Sequence, residues 1–482
     1  MVNLVPTGIT GLDTLLGGGL VVGTMALIEG APGAGKTTLG LHFIHHGVVA
    51  CGEPGLVLTF EETPQQLYRD ALNFGWDLRR LVQEGKLQVI CITPDVLQRY
   101  LHDPEEMWRV LARGTVPRRM LIDSVNHLRQ ITTDELQLRD ILNVLLGGMR
   151  RQGLTTLLLK ELEERGGTGI PFEEYAVDAV IRLVYAPRSD DAIRQRYLEI
   201  LKTRGQEHVA GRHSFKFAPD GLRVFPHLRP KPITAQRDYR RAFLGLAGFD
   251  QLLGNGAPST AQVMLMGDTG VGKTLSSLLF THEGLQCGEW CAFISCDEVP
   301  AMTRRTMAHF GMATQAHERL GRLCFVDAYG REGTSESHAI GDPSNLDEFL
   351  NVEDDLLGAL QAHAGPLGAG CRLCVDGMST VLATSSYQEA IDFVAAHLHN
   401  LRARKVFSLD TYTSGALEPR LMTNITQHYD LVLNMRFAEV HGTPIRLGSI
   451  EKYRFGKVAR AEQIFSVDSR IGLVSHQVTF HG

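Results

Sequence analysis

An octapeptide built on spaced glycines and ending in Lys-Thr occurs in each half of the chain. Gly30-Ala31-Pro32-Gly33-Ala34-Gly35-Lys36-Thr37 and Gly267-Asp268-Thr269-Gly270-Val271-Gly272-Lys273-Thr274 both fit G-x-x-x-x-G-K-[ST]. The pattern belongs to a loop between a buried strand and a helix. Its backbone amides cradle phosphates, its lysine reaches the outer phosphates, and its hydroxyl meets Mg2+. The bland alternative is a glycine turn before a helix, and two copies argue against it. The copies also sit in register. Thr7-Gly8-Ile9-Thr10-Gly11-Leu12-Asp13 precedes the first, and Phe243-Leu244-Gly245-Leu246-Ala247-Gly248-Phe249-Asp250 precedes the second. Asp13 to Asp250 and Lys36 to Lys273 are both 237 residues apart (250 − 13, 273 − 36), so a domain is duplicated rather than a motif.

Each half alternates apolar runs with helical stretches. In the first, strands are expected over 24–29, 55–60, 119–122 and 155–159, and helices over 36–51 and 134–151. In the second, strands are expected over 262–266, 290–296, 372–375, 406–409 and 429–435. The alternation predicts an α/β fold, each half a mostly parallel sheet flanked by helices. Both loops then fall at the carboxyl ends of strands, where such sheets bind ligands. The first half closes with β-rich sequence over 179–185, 197–202 and 213–217. Phe225-Pro226-His227-Leu228-Arg229-Pro230-Lys231-Pro232 reads as a linker. The expected domains are 1–225 and 242–482, joined by 226–241. The polar stretch 330–347 is expected to be a mobile loop.

Composition narrows the function. The net charge is −6, aromatics are 7%, and no long basic run appears, so a nucleic-acid partner is not expected. The longest apolar stretch, 17–34, is broken by glycines and Glu29, short of the roughly 20 residues a membrane helix needs. The first six residues lack the features of a targeting segment, so the expected location is cytoplasmic and not membrane-bound. Cys371 and Cys374 have C-x-x-C spacing but no second matching pair, and read as small buried hydrophobes. His42, His45 and His46 read as ordinary residues of the helix after the first loop.

Phosphoryl chemistry needs a cradle, a metal anchor, a base and a charge stabiliser. The cradle candidates are Gly33, Ala34, Gly35, Lys36, Thr37 and Thr38, and in the second half Thr269, Gly270, Val271, Gly272, Lys273, Thr274 and Leu275. Asp123 ends the apolar run Met120-Leu121-Ile122 and Asp376 ends a comparable one. The metal candidates are therefore Thr37 with Asp123, and Thr274 with Asp376. Glu61-Glu62 follow one expected strand and Asp297-Glu298 another, each pair about 25 residues after its loop lysine. A carboxylate there can orient or deprotonate an attacking group. The competing explanation is helix N-capping, because Thr63-Pro64 and Val299-Pro300 open helices and acids favour that end.

Taken together, the leading segments, both loops, the adjacent acids and the strand-terminal aspartates resemble, in tandem, the KaiC family of the RecA superfamily, ATPases and autokinases of circadian clocks. The resemblance spans nearly the whole chain. It implies two RecA-like P-loop NTPase domains, a homo-hexamer with ATP and Mg2+ at subunit interfaces, and signalling partners. It implies catalytic roles for Glu61, Glu62, Asp297 and Glu298. Leu201-Lys202-Thr203-Arg204-Gly205-Gln206-Glu207-His208 matches the family's L-K-x-R-G-x-x-H motif, so Lys202, Arg204 and His208 would contact nucleotide in the neighbouring subunit. The bland reading of Lys202 is a solvated strand edge. In the second half the motif departs: Lys452-Tyr453-Arg454-Phe455-Gly456 carries an extra residue before the glycine and no equivalent histidine, leaving Lys452 and Arg454. Where clock members carry an adjacent Ser-Thr phosphorylation pair, this chain reads Met422-Thr423-Asn424-Ile425-Thr426, so the acceptor candidates are Thr423 and Thr426. Set against the long C-terminal extension of clock members, the resemblance leads us to expect little of that extension here. The leading expectation is an ATP-hydrolysing signalling protein with serine/threonine autokinase activity in the second domain. The alternatives are a RecA-type DNA-dependent ATPase and a nucleotide-dependent scaffold with a weakly active second domain.

Overall fold

The computed structural model describes residues 3–100, 116–132, 134–162, 172–187, 194–227, 240–254, 256–330, 339–364, 370–440, 443–456, 462–468 and 472–476. Most of the expected linker and the centre of the expected 330–347 loop lie outside these residues. The chain divides into two compact units, Met1–Leu228 and Arg229–Gly482.

Both units are built on a nine-stranded sheet of the same order. In the first the strands run Leu87–Cys91, Gly55–Thr59, Arg119–Asp123, Thr155–Glu161, Met25–Gly30, Ala179–Pro187, Arg194–Thr203, Arg212–Ala218 and Gly221–Phe225. The first six are mutually parallel and the last three antiparallel. In the second the order is Leu323–Asp327, Trp290–Ser295, Cys371–Asp376, Phe407–Thr413, Gln262–Gly267, Leu431–Val440, Thr443–Tyr453, Gln463–Asp468 and Gly472–His476, again six parallel then three antiparallel. The expected mostly parallel α/β fold is what forms. The edge strands Leu87–Cys91 and Leu323–Asp327 were not among the sequence expectations. The helix Leu346–Ala364 begins inside the stretch expected to be loop.

Side-chain alternation explains the layers. In the first unit, Ala26 and Ile28 join the core under the helix Lys36–Ala50, while Met25 and Leu27 join the core under the helix Glu135–Arg151. The same alternation separates the C-x-x-C cysteines. On the strand Cys371–Asp376, Cys371 enters one core and Cys374 the other, so the two thiols cannot share a ligand.

A duplicated arginine ties each unit together. Arg119 opens its strand fully buried, over the Phe43 ring at 4.6 Å, and donates to the carbonyls of Pro6 (2.8 Å) and Phe43 (3.1 Å) and to Glu53. Arg372 does the same with Phe280 at 4.8 Å, the carbonyls of Phe243 (2.9 Å) and Phe280 (3.1 Å), and Glu289. Each links the leading segment, the loop helix and a central strand. A Cβ at Gly47 would lie 2.3 Å from Arg119, and one at Gly284 2.6 Å from Arg372, so both helices carry glycine where the guanidinium passes. Asp13 accepts from the backbone of Thr7 and Gly8, and Asp250 from that of Leu244 and Leu246, closing both leading turns.

Candidate nucleotide site

Each loop leaves its strand and enters its helix through a left-handed glycine, Gly35 (φ 104°) or Gly272 (φ 114°). That conformation turns successive amides inward and is open to glycine without strain. Ala34 and Val271 face inward and are fully buried, anchoring the loop floor. Lys36 donates to the carbonyls of Gly30 (2.9 Å) and Ala31 (3.0 Å), and Lys273 to those of Gly267 (3.0 Å) and Asp268 (2.9 Å). Burial pushes both lysines below their ordinary value, against Glu161 and Asp123 in the first unit and Asp376 and Asp268 in the second.

The expected metal contacts are brought together. Thr37 Oγ1 donates to Asp123 Oδ2 at 2.7 Å. In the second unit Asp376 is bonded by Thr274, by Thr411 at 2.9 Å and by Ser277 at 3.2 Å. Burial raises Asp123, opposed by Thr37 and Lys36, and raises Asp376, opposed by Thr274 and Thr411. Burying a carboxylate without a full counter-charge is costly, and a hard cation with oxygen ligands suits such a donor set. Among the described residues there is no group of three or more His, Cys, Asp or Glu side chains placed to hold a metal ion.

The acid pairs sit at the ends of neighbouring strands, and they do not cap the helices that follow. Thr63 caps Pro64–Leu72 through a reciprocal bond with Gln66, and Val299 precedes Pro300–His309 with no side-chain cap. Each pair is held by a strand-end hydroxyl: Thr59 donates to the Glu62 carbonyl at 3.1 Å and Ser295 to the Glu298 carbonyl at 2.6 Å. Glu62 is half-buried, its Oε2 has no partner among the described residues, and burial followed by the Asp123 charge raises its pKa. Glu61 is exposed, with Oε2 3.3 Å from His127 Nε2. Asp297 accepts from Thr380 Oγ1 at 2.7 Å. A Cβ at Gly377 would meet Asp297 at about 3 Å, so the shorter acid packs directly over a glycine. His127 and Thr380 escaped the sequence reading, although each lies four residues after its strand-terminal aspartate.

The expected trans residues lie at the ends of the antiparallel strands Arg194–Thr203 and Thr443–Tyr453 and in the turns that follow. Lys202 donates to the Glu174 and Val177 carbonyls at 2.7 Å, Arg204 to the Tyr175 carbonyl at 3.0 Å, and His208 Nδ1 meets Thr203 Oγ1 at 2.8 Å. Lys202 is therefore not on a free sheet edge. Lys452 donates to the Thr426 and Gln427 carbonyls at 2.9 Å, and Arg454 to Asp430 at 2.9 Å. A register shift precedes both lysines, at Val180/Ile181 and at Val432/Leu433. The second copy thus keeps its lysine and arginine in place, and the extra residue falls in the turn beyond. Thr423 and Thr426 lie on the helix Pro419–His428, their hydroxyls donating to the carbonyls of Pro419 (2.8 Å) and Thr423 (2.7 Å).

Two loops of this geometry, each opposite a strand-terminal aspartate on a six-strand parallel core, define a tandem P-loop nucleotide-binding ATPase. The family profile described as ATPase: KaiC matches residues 5–229 and again 244–477. The chain belongs to the KaiC family. It is 27% identical over 459 residues to the circadian clock oscillator protein KaiC of Synechococcus elongatus, covering 93% of this chain and 84% of that protein. It is 26% identical over 468 residues to that of Prochlorococcus marinus (94% and 89%), and 30% identical over 370 residues to that of Thermostichus vulcanus (74% and 70%). Among the described residues, no helix is long and apolar enough to cross a membrane.

Proposed function

We propose that the protein couples ATP hydrolysis in its first unit to phosphoryl transfer in its second, as a signalling ATPase and autokinase assembled as a homo-hexamer. The observation that carries this reading is the repeated juxtaposition of loop lysine, strand-terminal aspartate and acid pair in both units. The loop amides and Lys36 or Lys273 bind the phosphates of ATP. Thr37 with Asp123, and Thr274 with Asp376, would hold Mg2+, which offsets charge on the phosphate oxygens. In the first unit Glu61 orients a water on the γ-phosphorus and takes its proton as the bond to the β-phosphate breaks. In the second, a threonine hydroxyl replaces that water. The Thr423 or Thr426 oxygen bonds to phosphorus, ADP leaves, and the proton passes to Asp297. Lys202 and Lys452, at the ends of their strands, and Arg204, His208 and Arg454, in the turns beyond, would offset transition-state charge in an adjacent subunit.

The test is incubation with Mg-ATP followed by intact mass, phosphopeptide mapping and phosphate release. Lys36→Ala should remove most hydrolysis. A phosphate on Thr423 or Thr426, lost in Lys273→Ala, is the expected kinase result. Hydrolysis without any modification would overturn the kinase half and leave an ATPase switch.

A further inference from the structure

We propose that His127 is the positioning residue for Glu61, and that Thr380 fills the same place for Asp297. The proposal rests on reading Glu61 as the water-orienting carboxylate. Of the four paired acids, the two leading ones need an external hold. Glu62 and Glu298 lie in turns closed by Thr59 and Ser295. Glu61 projects into solvent with its side chain 78% exposed, free to occupy many rotamers. Its neighbour is His127, 3.3 Å away. The Gln130 amide nitrogen lies 3.2 Å from His127 Nδ1. An amide nitrogen only donates, so Nδ1 accepts and Nε2 is the nitrogen left to face Glu61. The Phe60 ring, 6.0 Å away, flanks the imidazole, and the Asp123 carboxylate lies within electrostatic reach of it.

The duplication supplies an independent control. Thr380 stands at the same offset from Asp376 as His127 from Asp123, and it donates to the first acid of its pair, as His127 Nε2 faces Glu61 at 3.3 Å. Donor and acid have changed together. The long acid Glu61 meets a long donor. The short acid Asp297 meets a short one, on a floor where Gly377 replaces Ser124. A contact kept while both partners differ points to selection for the contact itself. Holding a carboxylate in one orientation acts on the chemical step rather than on nucleotide affinity, and a misplacement of about 1 Å can cost about a hundredfold.

The experiment uses the full chain carrying Lys273→Ala, so that phosphate release reports the first unit. His127→Leu should lower kcat roughly ten- to a hundredfold with KM for ATP within about twofold. His127→Gln, which returns an N–H near the Nε2 position, should recover most of that loss. In the chain labelled with 13C-histidine, the Cε1 resonance missing from His127→Gln should shift in Glu61→Gln, a readout that needs no turnover. Full activity in His127→Leu, or an unmoved resonance, overturns the proposal while Glu61→Gln still abolishes hydrolysis. Retained hydrolysis in Glu61→Gln instead overturns the underlying assignment of Glu61, and the proposal with it.

Discussion

At the scale of single residues, backbone conformation decides what the loop can be. Gly35 sits at φ 104°, where a side chain costs about 1–2 kcal/mol, and a Cβ there would also lie 2.7 Å from the Phe217 ring. Gly35→Ala should therefore lower stability by about 1–2 kcal/mol and weaken binding of a fluorescent ATP analogue, because the amides that follow no longer converge. Thermal unfolding and a titration check it, and an unchanged protein by both would contradict the loop's role. These glycines, the lysines and the strand-terminal aspartates were legible because a short contiguous pattern encodes them. Arg119 and Arg372 were not. A charge at the start of an apolar strand reads as its solvated end. Only the fold shows Gly47 and Gly284 making room for a guanidinium inside. His127 was hidden for a similar reason, since its partner lies 66 residues earlier on a different strand end (127 − 61).

At the scale of elements, the same strand ends a helix in both units. Lys202 gathers carbonyls at the end of Phe172–Ala176, and Lys452 those at the end of Pro419–His428. The last carbonyls of a helix have no internal partner, and a cation there also suits the helix dipole. Lys452→Met should cost about 1 kcal/mol, concentrated in the final turn, and raise amide exchange of peptides spanning 423–430 about fivefold. Exchange unchanged there would show that water replaces the ammonium without loss. The sequence made the second copy look degraded because the comparison ran to the glycine. Strand register places the lysine after the same bulge in both units, and the extra Phe455 falls beyond it.

At the scale of the whole chain, two units with one topology hold buried histidines whose pKa values are shifted in opposite directions. In the second, His397 is fully buried between Glu353 and Asp410, 3.0 Å from the latter, and Tyr429 donates to Asp410 at 2.7 Å. Burial alone would lower this imidazole, but the two carboxylates outweigh it and hold the pKa up to about 10. Among the described residues, the first unit has no such network at that level. Leu158 occupies the strand position of Asp410, each pairing with the penultimate residue of the strand that ends in the site aspartate. Of its buried histidines, His213 is on the strand Arg212–Ala218, while His42 lies on the loop helix against Trp76. There Nδ1 accepts from the Leu222 amide at 3.2 Å, and burial, with His45 and His46, lowers the pKa to about 4. A raised folded-state pKa gives stability that is complete below the unfolded value near 6.5 and is lost as pH rises toward about 10. A depressed one gives stability present above about 6.5 and lost as pH falls toward about 4. The first unit should therefore loosen in acid and the second in alkali. Amide exchange at pH 5, 7.5 and 9.5, corrected for intrinsic rates, should show protection falling at pH 5 in Lys36–Ala50 and at pH 9.5 in Tyr387–Ala403. His397→Ala leaves two buried carboxylates without their cation, so the second unit should lose about 3–5 kcal/mol at pH 7.5 while the first is untouched. Parallel loss in both units would mean that the duplicated folds unfold as one and that the buried histidine does not set the stability of its own half.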